Sequence, residues 1–170
     1  MTSLPHDQLL ILPDGPDLEP EESAVPPWTV LVVDDEMDMY TVTRLILGGI
    51  EFQGRPIRLI GALSAEAAKA VLAERKDIAL VLLDVVMESD DAGLRLVRHI
   101  REELQDRSVQ IVLRTGQPGS APERNVVFDY DINGYALKTE MTSNRLLTTV
   151  ITALRSYLNC VAAERALRLA

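Results

Sequence analysis

Three carboxylates, one hydroxyl and one ammonium group stand at the ends of separate apolar runs in this chain. Asp34 and Asp35 close the run Val30-Leu31-Val32-Val33, and Asp84 closes a second run over 78–83. Thr115 follows the run 109–114, and Lys138 follows Gly134-Tyr135-Ala136-Leu137. Short continuous apolar runs suit strands buried on both faces of a parallel sheet. In an open α/β sheet, ligands bind beyond the carboxyl ends of the strands. Four strands would therefore bring all five groups to one edge, where a divalent cation and a phosphoryl group could be held. Carboxylates this close repel one another and raise each other's pKa unless a cation sits among them. Mg²⁺ takes oxygen ligands and keeps several waters. We expect Asp35 and Asp84 as direct ligands, Asp34 as a ligand directly or through a water, and the backbone carbonyl of Val86 as a further oxygen. Asp84 is also placed as a nucleophile, since a carboxylate oxygen attacking a phosphoryl group forms an aspartyl phosphate. The cation and Lys138 would bear the charge on the equatorial oxygens, and the Thr115 hydroxyl would donate to the bound phosphoryl group.

These residues need a frame, and the chain between them alternates strand and helix. Strands are expected at 28–33, 57–62, 78–83, 109–114 and 134–137. Helices are expected at about 36–48, with Met37, Tyr40, Leu45 and Ile46 toward the sheet, from Ser64 to about 75, at 91–105, and at 121–130. Gly48-Gly49 ends the first helix, Ser64 caps the second, and Gln117-Pro118-Gly119-Ser120 makes a turn. Glu51 to Arg55 reads as a polar connection ending at Pro56. Five βα units of this kind predict a doubly wound α/β fold. Residues 1–27 hold six of the nine prolines and scattered acids, which predicts a flexible acidic tail, with 8–12 as a loosely held apolar patch. A domain core is then expected over 28–142 and one long helix over 143–170. In that helix Leu147, Ile151, Leu154, Leu158 and Val161 step by 4, 3, 4 and 3, the spacing of a coiled-coil seam. No Gly or Pro stops the helix, so a linker into a further domain of a parent protein is expected.

Bulk composition narrows the classes. The 170 residues carry 17 basic against 26 acidic side chains, a net charge of −9, which argues against nucleic acid as a direct partner. A single cysteine, Cys160, fits a reducing compartment. No apolar stretch is expected to reach a membrane span, and the N-terminus lacks a basic-then-apolar signal, so a cytoplasmic location without membrane contact is expected. His6 and His99 make no metal pair, Cys160 reads as a small apolar filler, and Ser108 and Ser120 lack an acyl-transfer partner. No glycine-rich dinucleotide or Walker loop is present.

Taken singly, each site residue has a plain reading as a turn acid, a loop hydroxyl or a solvated lysine. Jointly, in this order, they resemble the receiver domain of bacterial two-component response regulators over about 28–158. The matching motifs are Leu31-Val32-Val33-Asp34-Asp35-Glu36, Leu82-Leu83-Asp84-Val85-Val86-Met87, the Thr115 turn and Tyr135-Ala136-Leu137-Lys138. The resemblance implies a flavodoxin-like five-stranded parallel sheet in the order 2-1-3-4-5, with helices on both faces. It implies transfer of a phosphoryl group to Asp84 with Mg²⁺, from the phosphohistidine of a sensor histidine kinase or phosphotransfer protein. It also implies Thr115 and Tyr135 as a coupled switch pair. The segments 113–119, Lys138-Thr139-Glu140 and 154–157 are similar to receivers at the N-terminus of multidomain regulators whose later domains make or break cyclic di-GMP.

The chain departs from the family pattern in several places. Thr139 stands where proline usually follows the lysine, so a cis bond is not expected there. The loop after Asp84 lacks the usual Met-Pro and Asp-Gly pieces and runs one residue longer, and Gly116 replaces the commoner alanine. None of these removes a ligand. The principal expectation is a phosphorylation switch that controls a covalently linked output domain and does not itself turn over a metabolite. Two alternatives compete with it. One is a Mg²⁺-dependent phosphatase with an aspartyl nucleophile, for which Val86 stands where a second acid is needed. The other is a phosphorylation-independent module that homodimerises through the C-terminal helix.

Overall fold

The apolar runs become neighbouring strands of one sheet. The computed structural model describes residues 11–12, 25–116 and 123–170. In chain order the elements are β1 (Ile11–Leu12), β2 (Trp28–Val33), α1 (Met37–Leu47), β3 (Glu51–Phe52), β4 (Arg55–Ala62), α2 (Ala65–Glu74) and β5 (Ile78–Asp84). They continue with α3 (Ala92–Arg98), a π turn (His99–Glu103), β6 (Gln110–Thr115), α4 (Glu123–Asp129), β7 (Gly134–Leu137), a 3₁₀ turn (Lys138–Glu140) and α5 (Ser143–Leu169). The strands lie in the order β1-β4-β2-β5-β6-β7. The neighbours from β4 through β7 are all parallel. Every residue of β2 and β5 is buried, as two-sided coverage by helices requires.

Strand alternation divides the core in two. Leu31, Val33, Val81, Leu83, Ile111 and Leu113 pack with α2, α3 and Val126 of α4. Val30, Val32, Leu80, Leu82 and Val112 pack on the other face with Tyr40 and Leu47 of α1 and with α5.

The expected five-stranded parallel sheet is corrected in two places. Ile11 and Leu12, read as part of a loose tail, pair antiparallel with Ala62 and Gly61 of β4, so the sheet is mixed and has a sixth strand on its path. The supposed polar connection holds β3, an antiparallel partner of Arg55 and Pro56. Gln53 and Gly54 turn the chain there with φ of 51° and 72°, the left-handed pair a tight two-residue hairpin needs. Phe52 then accepts a hydrogen bond at its carbonyl from Trp28 Nε1 at 2.9 Å, and the Arg55 guanidinium stacks 3.4 Å from the Trp28 ring centroid.

Two helices also differ from expectation. In α1 the buried residues are Tyr40, Thr43 and Leu47, whereas Met37 is 51% and Leu45 78% exposed. The true stripe includes a threonine, whose hydroxyl donates to the Met39 carbonyl at 2.6 Å and so loses little by burial. In α5 part of the expected seam packs on the chain's own sheet: Leu154 is fully buried, and the half-buried Leu147 and Leu158 lie against the same core. Leu146, Val150 and Ala153 complete the sheet-facing stripe. Farther along, Ser108 Oγ donates to Glu164 Oε1 at 2.5 Å and Gln110 Nε2 approaches Cys160 Sγ at 3.8 Å, which fastens the part of α5 that overhangs the sheet. By length and composition alone α5 could cross a membrane, which corrects the expectation that no segment comes near that length; here it supplies core residues to the sheet.

The second helix follows its prediction, with Ser64 Oγ accepting from Ala67 N at 3.1 Å. The expected helix at 91–105 divides into α3 and the π turn. Arg101 in that turn is buried, and its guanidinium donates to the carbonyls of Asp131, Asp106 and Val109 and to Asn133 Oδ1. The turn expected at 117–120, the start of the helix expected at 121, His6 and most of 1–24 lie outside the described residues.

Candidate functional site

Asp34, Asp84 and Arg114 extend one row of the strand alternation. Val30 and Val32, Leu80 and Leu82, and Val112 face α1 and α5, so the next step on each strand puts these three charged residues on that same side. Asp84 and Arg114 are register partners between β5 and β6, and Thr115 pairs with Leu137 between β6 and β7. Lys138 follows directly after β7. Sheet register therefore brings residues separated by up to about a hundred positions to one edge.

The acids converge. Asp34, Asp35 and Asp84 each offer a carboxylate oxygen, and these oxygens lie within 4.8 Å of one another. Asp34 and Asp84 are buried, while Asp35 is exposed. Lys138 Nζ stands 3.0 Å from Asp84 Oδ2, 2.9 Å from Asp34 Oδ2 and 3.6 Å from Glu36 Oε1. Backbone amides hold the other oxygens: Glu36 N donates to Asp34 Oδ1 at 2.9 Å, and Val86 N to Asp84 Oδ1 at 3.4 Å. Asp34 N donates to the Ala62 carbonyl at 3.1 Å, which ties the acid-bearing loop to β4.

The electrostatics follow from this crowding. Burial pushes the Asp84 carboxyl up to about 6; its hydrogen bond from Lys138 pulls it down, and the neighbouring Asp34 charge raises it again. Asp35 is raised by burial and then by Asp34. Burial opposes the charge of Lys138, but the carboxylates of Asp34 and Asp84 beside it outweigh burial, and the ammonium is held above its ordinary pKa. One lysine among three to four acids leaves negative charge in excess. An all-oxygen donor set of this size with uncompensated charge fits a hard divalent cation such as Mg²⁺.

Thr115 is buried at the end of β6. The following Gly116 lies against the Lys138 stem, since a Cβ there would stand 3.6 Å from Lys138 Cδ. Tyr135 is half-buried in β7 and packs against the α3/α4 core, with its hydroxyl raised by burial and by Glu123. Among the described residues no peptide bond is cis, including that after Lys138. His99 pairs with Glu103 on its own turn, away from the acids.

Sequence reasoning passed over three further residues. Glu36 adds a carboxylate beside Lys138. Gly93 donates from its amide to the Val85 carbonyl at 3.0 Å, and a Cβ there would come 2.1 Å from the Asp84 carbonyl oxygen, so only glycine lets α3 start this close to the loop. Arg114 is 1% exposed beneath the acids. Glu36 had a visible signal in the acidic triplet 34–36, and Arg114 had one as a charge inside an apolar strand. Gly93 had none.

Comparison with known proteins agrees with this geometry. Residues 30–151 match the response regulator receiver domain. The chain is 56% identical over 131 residues to the 3'3'-cGAMP-specific phosphodiesterase 2 of Vibrio cholerae serotype O1, an alignment that covers 77% of this chain and 25% of that protein. The chain thus corresponds to about a quarter of that relative's length. Among solved structures, a CheY-like receiver domain protein of Methanospirillum hungatei JF-1 superposes with a TM-score of 0.61 at 22% identity, covering 78% of this chain and 98% of that one. The signal receiver domain of an HD domain-containing protein of Pseudomonas fluorescens Pf-5 gives a TM-score of 0.64 at 20% identity, again over 78% and 98%. At those identities the two structures establish the fold.

Proposed function

The chain belongs to the response regulator receiver family of two-component systems, and from that premise we propose that Asp84 is its phosphoacceptor. The observation that carries this reading is the convergence of Asp34, Asp35, Asp84 and Lys138 on one sheet edge, with Lys138 Nζ 3.0 Å from Asp84 Oδ2. A carboxylate oxygen of Asp84 attacks phosphorus, the P–N bond of a donor phosphohistidine breaks, and the electron pair stays on the imidazole nitrogen. Lys138, held between Asp34 and Asp84 before transfer, then pairs with a phosphoryl oxygen. Asp34, Asp35 and Asp84, with the Val86 carbonyl, would hold Mg²⁺, which when bound supplies positive charge for the phosphoryl oxygens. The Thr115 hydroxyl donates to the phosphoryl group, and Tyr135 follows it inward as the second half of a switch.

The donor is a sensor histidine kinase or phosphotransfer protein, and the compartment is the cytoplasm, where such partners act. The relative from Vibrio cholerae supports a covalently attached output domain that hydrolyses a cyclic dinucleotide. That relative's activity concerns a cyclic GMP-AMP, a neighbour of the cyclic di-GMP chemistry to which the sequence motifs pointed. Pairing of two copies through α5 belongs to the same reading, with the half-buried Leu147, Ile151, Leu158 and Val161 of the seam and the exposed Leu167 and Leu169 available to a second copy. The phosphatase alternative is not favoured. The next acid after Asp84 is Glu88, and its carboxylate is occupied in accepting from Ala65 N at 2.9 Å.

Incubation with Mg²⁺ and acetyl phosphate should add one phosphoryl group, read by intact mass, and Asp84→Asn should abolish the uptake. An unmodified wild-type protein would remove the basis of the proposal.

A further inference from the structure

Two buried arginines in this molecule are treated differently by their surroundings. Arg101 spends its guanidinium on three carbonyls and an asparagine oxygen, the arrangement a structural arginine requires. Arg114 is more deeply buried, yet among the described residues its side chain makes one hydrogen bond, from Nη1 to Thr43 Oγ1 at 3.1 Å. Its Nε and Nη2 have no hydrogen-bond partner among the described residues. An unpaired buried cation costs several kcal/mol unless opposite charge stands nearby. That charge is at hand, because Arg114 is the register partner of Asp84 and lies on the same face of the sheet as Asp34. Asp34 Oδ2, although 2.9 Å from Lys138 Nζ, itself lacks a well-directed hydrogen bond.

We propose that Arg114 is a positioning residue of the phosphoacceptor site, a second fixed cation on the α1 side of the acids that weakens divalent-cation binding and strengthens binding of a phosphoryl-type anion. The inference rests on the reading of this edge as a Mg²⁺ and phosphoryl site. Lys138 reaches the acids from the β7 side with a flexible stem, whereas Arg114 is immobilised between the sheet and α1 by Thr43. Its charge therefore acts on whatever the acids hold without touching it. The lowering of its own pKa by burial, opposed by Asp34 and Asp84, agrees with that coupling. Nothing about packing requires a charge here, since Val112 fills the preceding position of the same row.

The test is the opposite sign expected for the two ligands. In isothermal titration of the full chain, Arg114→Met should bind Mg²⁺ about tenfold more tightly, because a like charge is removed. In saturating Mg²⁺ the same variant should bind beryllofluoride about tenfold more weakly. Arg114→Lys, which keeps the charge, should stay near wild type in both. If Arg114→Met does not fold, Arg114→Gln carries the same expectation as a neutral but polar replacement. Affinities that fall together, or do not move, in a folded neutral variant would show that Arg114 only fills space. Failure of the wild type to bind Mg²⁺ would overturn the site reading, and the role of Arg114 with it.

Discussion

Asp84→Asn should stabilise this protein when no cation is present, and the effect should depend on pH in a defined direction. The Asp84 carboxyl is pushed from 3.8 to about 6 in the folded chain, chiefly by burial. A raised carboxyl contributes stability that is complete below its unfolded value near 3.8 and is lost as pH climbs through about 6. At about 1.4 kcal/mol for each tenfold change, the gap amounts to about 3 kcal/mol by pH 7. Asparagine keeps the shape and can still accept from Lys138, but it carries no charge to desolvate. In EDTA at pH 7 the variant should therefore exceed wild type by about 1–3 kcal/mol, or roughly 3–10 °C in Tm. Near pH 4 the two should coincide. Added Mg²⁺ should restore much of the difference by stabilising the wild type at neutral pH. Thermal denaturation of both proteins at pH 4, 5, 6 and 7 measures this. A variant less stable than wild type at pH 7, or a constant offset at every pH, would refute the account of Asp84 as a strained carboxylate awaiting a cation.

Other parts of the structure give further expectations. Gly93→Ala should cost about 1–3 kcal/mol in urea denaturation and impair phosphoryl uptake, because the new methyl must displace the Asp84 carbonyl 2.1 Å away. Arg101→Met should cost about 2–4 kcal/mol, since it strips donors from the Asp131, Asp106 and Val109 carbonyls. Leu154→Ala should destabilise the monomer by about 2–5 kcal/mol, and a change in solution mass without loss of stability would contradict its burial against the sheet.

The site was readable in the sequence because two-sided burial makes strands conspicuous and chain reversal at their ends is short. Asp34, Asp84 and Lys138 each directly follow or end an apolar run, and parallel pairing then forces them together. Helix orientation was harder to read. Of the expected stripe Met37, Tyr40, Leu45 and Ile46 in α1, Tyr40 and Ile46 pack on the sheet, while Thr43 and Leu47 stand in for Met37 and Leu45; the Thr43 hydroxyl, satisfied on the helix backbone, hid its place in the core. The seam of α5 had a similar ambiguity, as one spacing serves both a partner helix and the chain's own sheet. The Gln53-Gly54 hairpin carried a usable glycine signal that its polar neighbours masked. The pairing of Ile11 and Leu12 with β4 depends on contacts across about fifty residues, and no local pattern announces it.

That added strand bears on how copies of the molecule could stick together. β1 and β3 shield the outer side of β4 at its two ends, at Gly61-Ala62 and at Arg55-Pro56, and proline removes one more donor there. On the opposite border β7 ends the ladder, with no further strand beside it among the described residues. The β4 border therefore offers only short, interrupted stretches of ladder, whereas β7 offers one continuous strand, so strand addition between copies is directed to the β7 side.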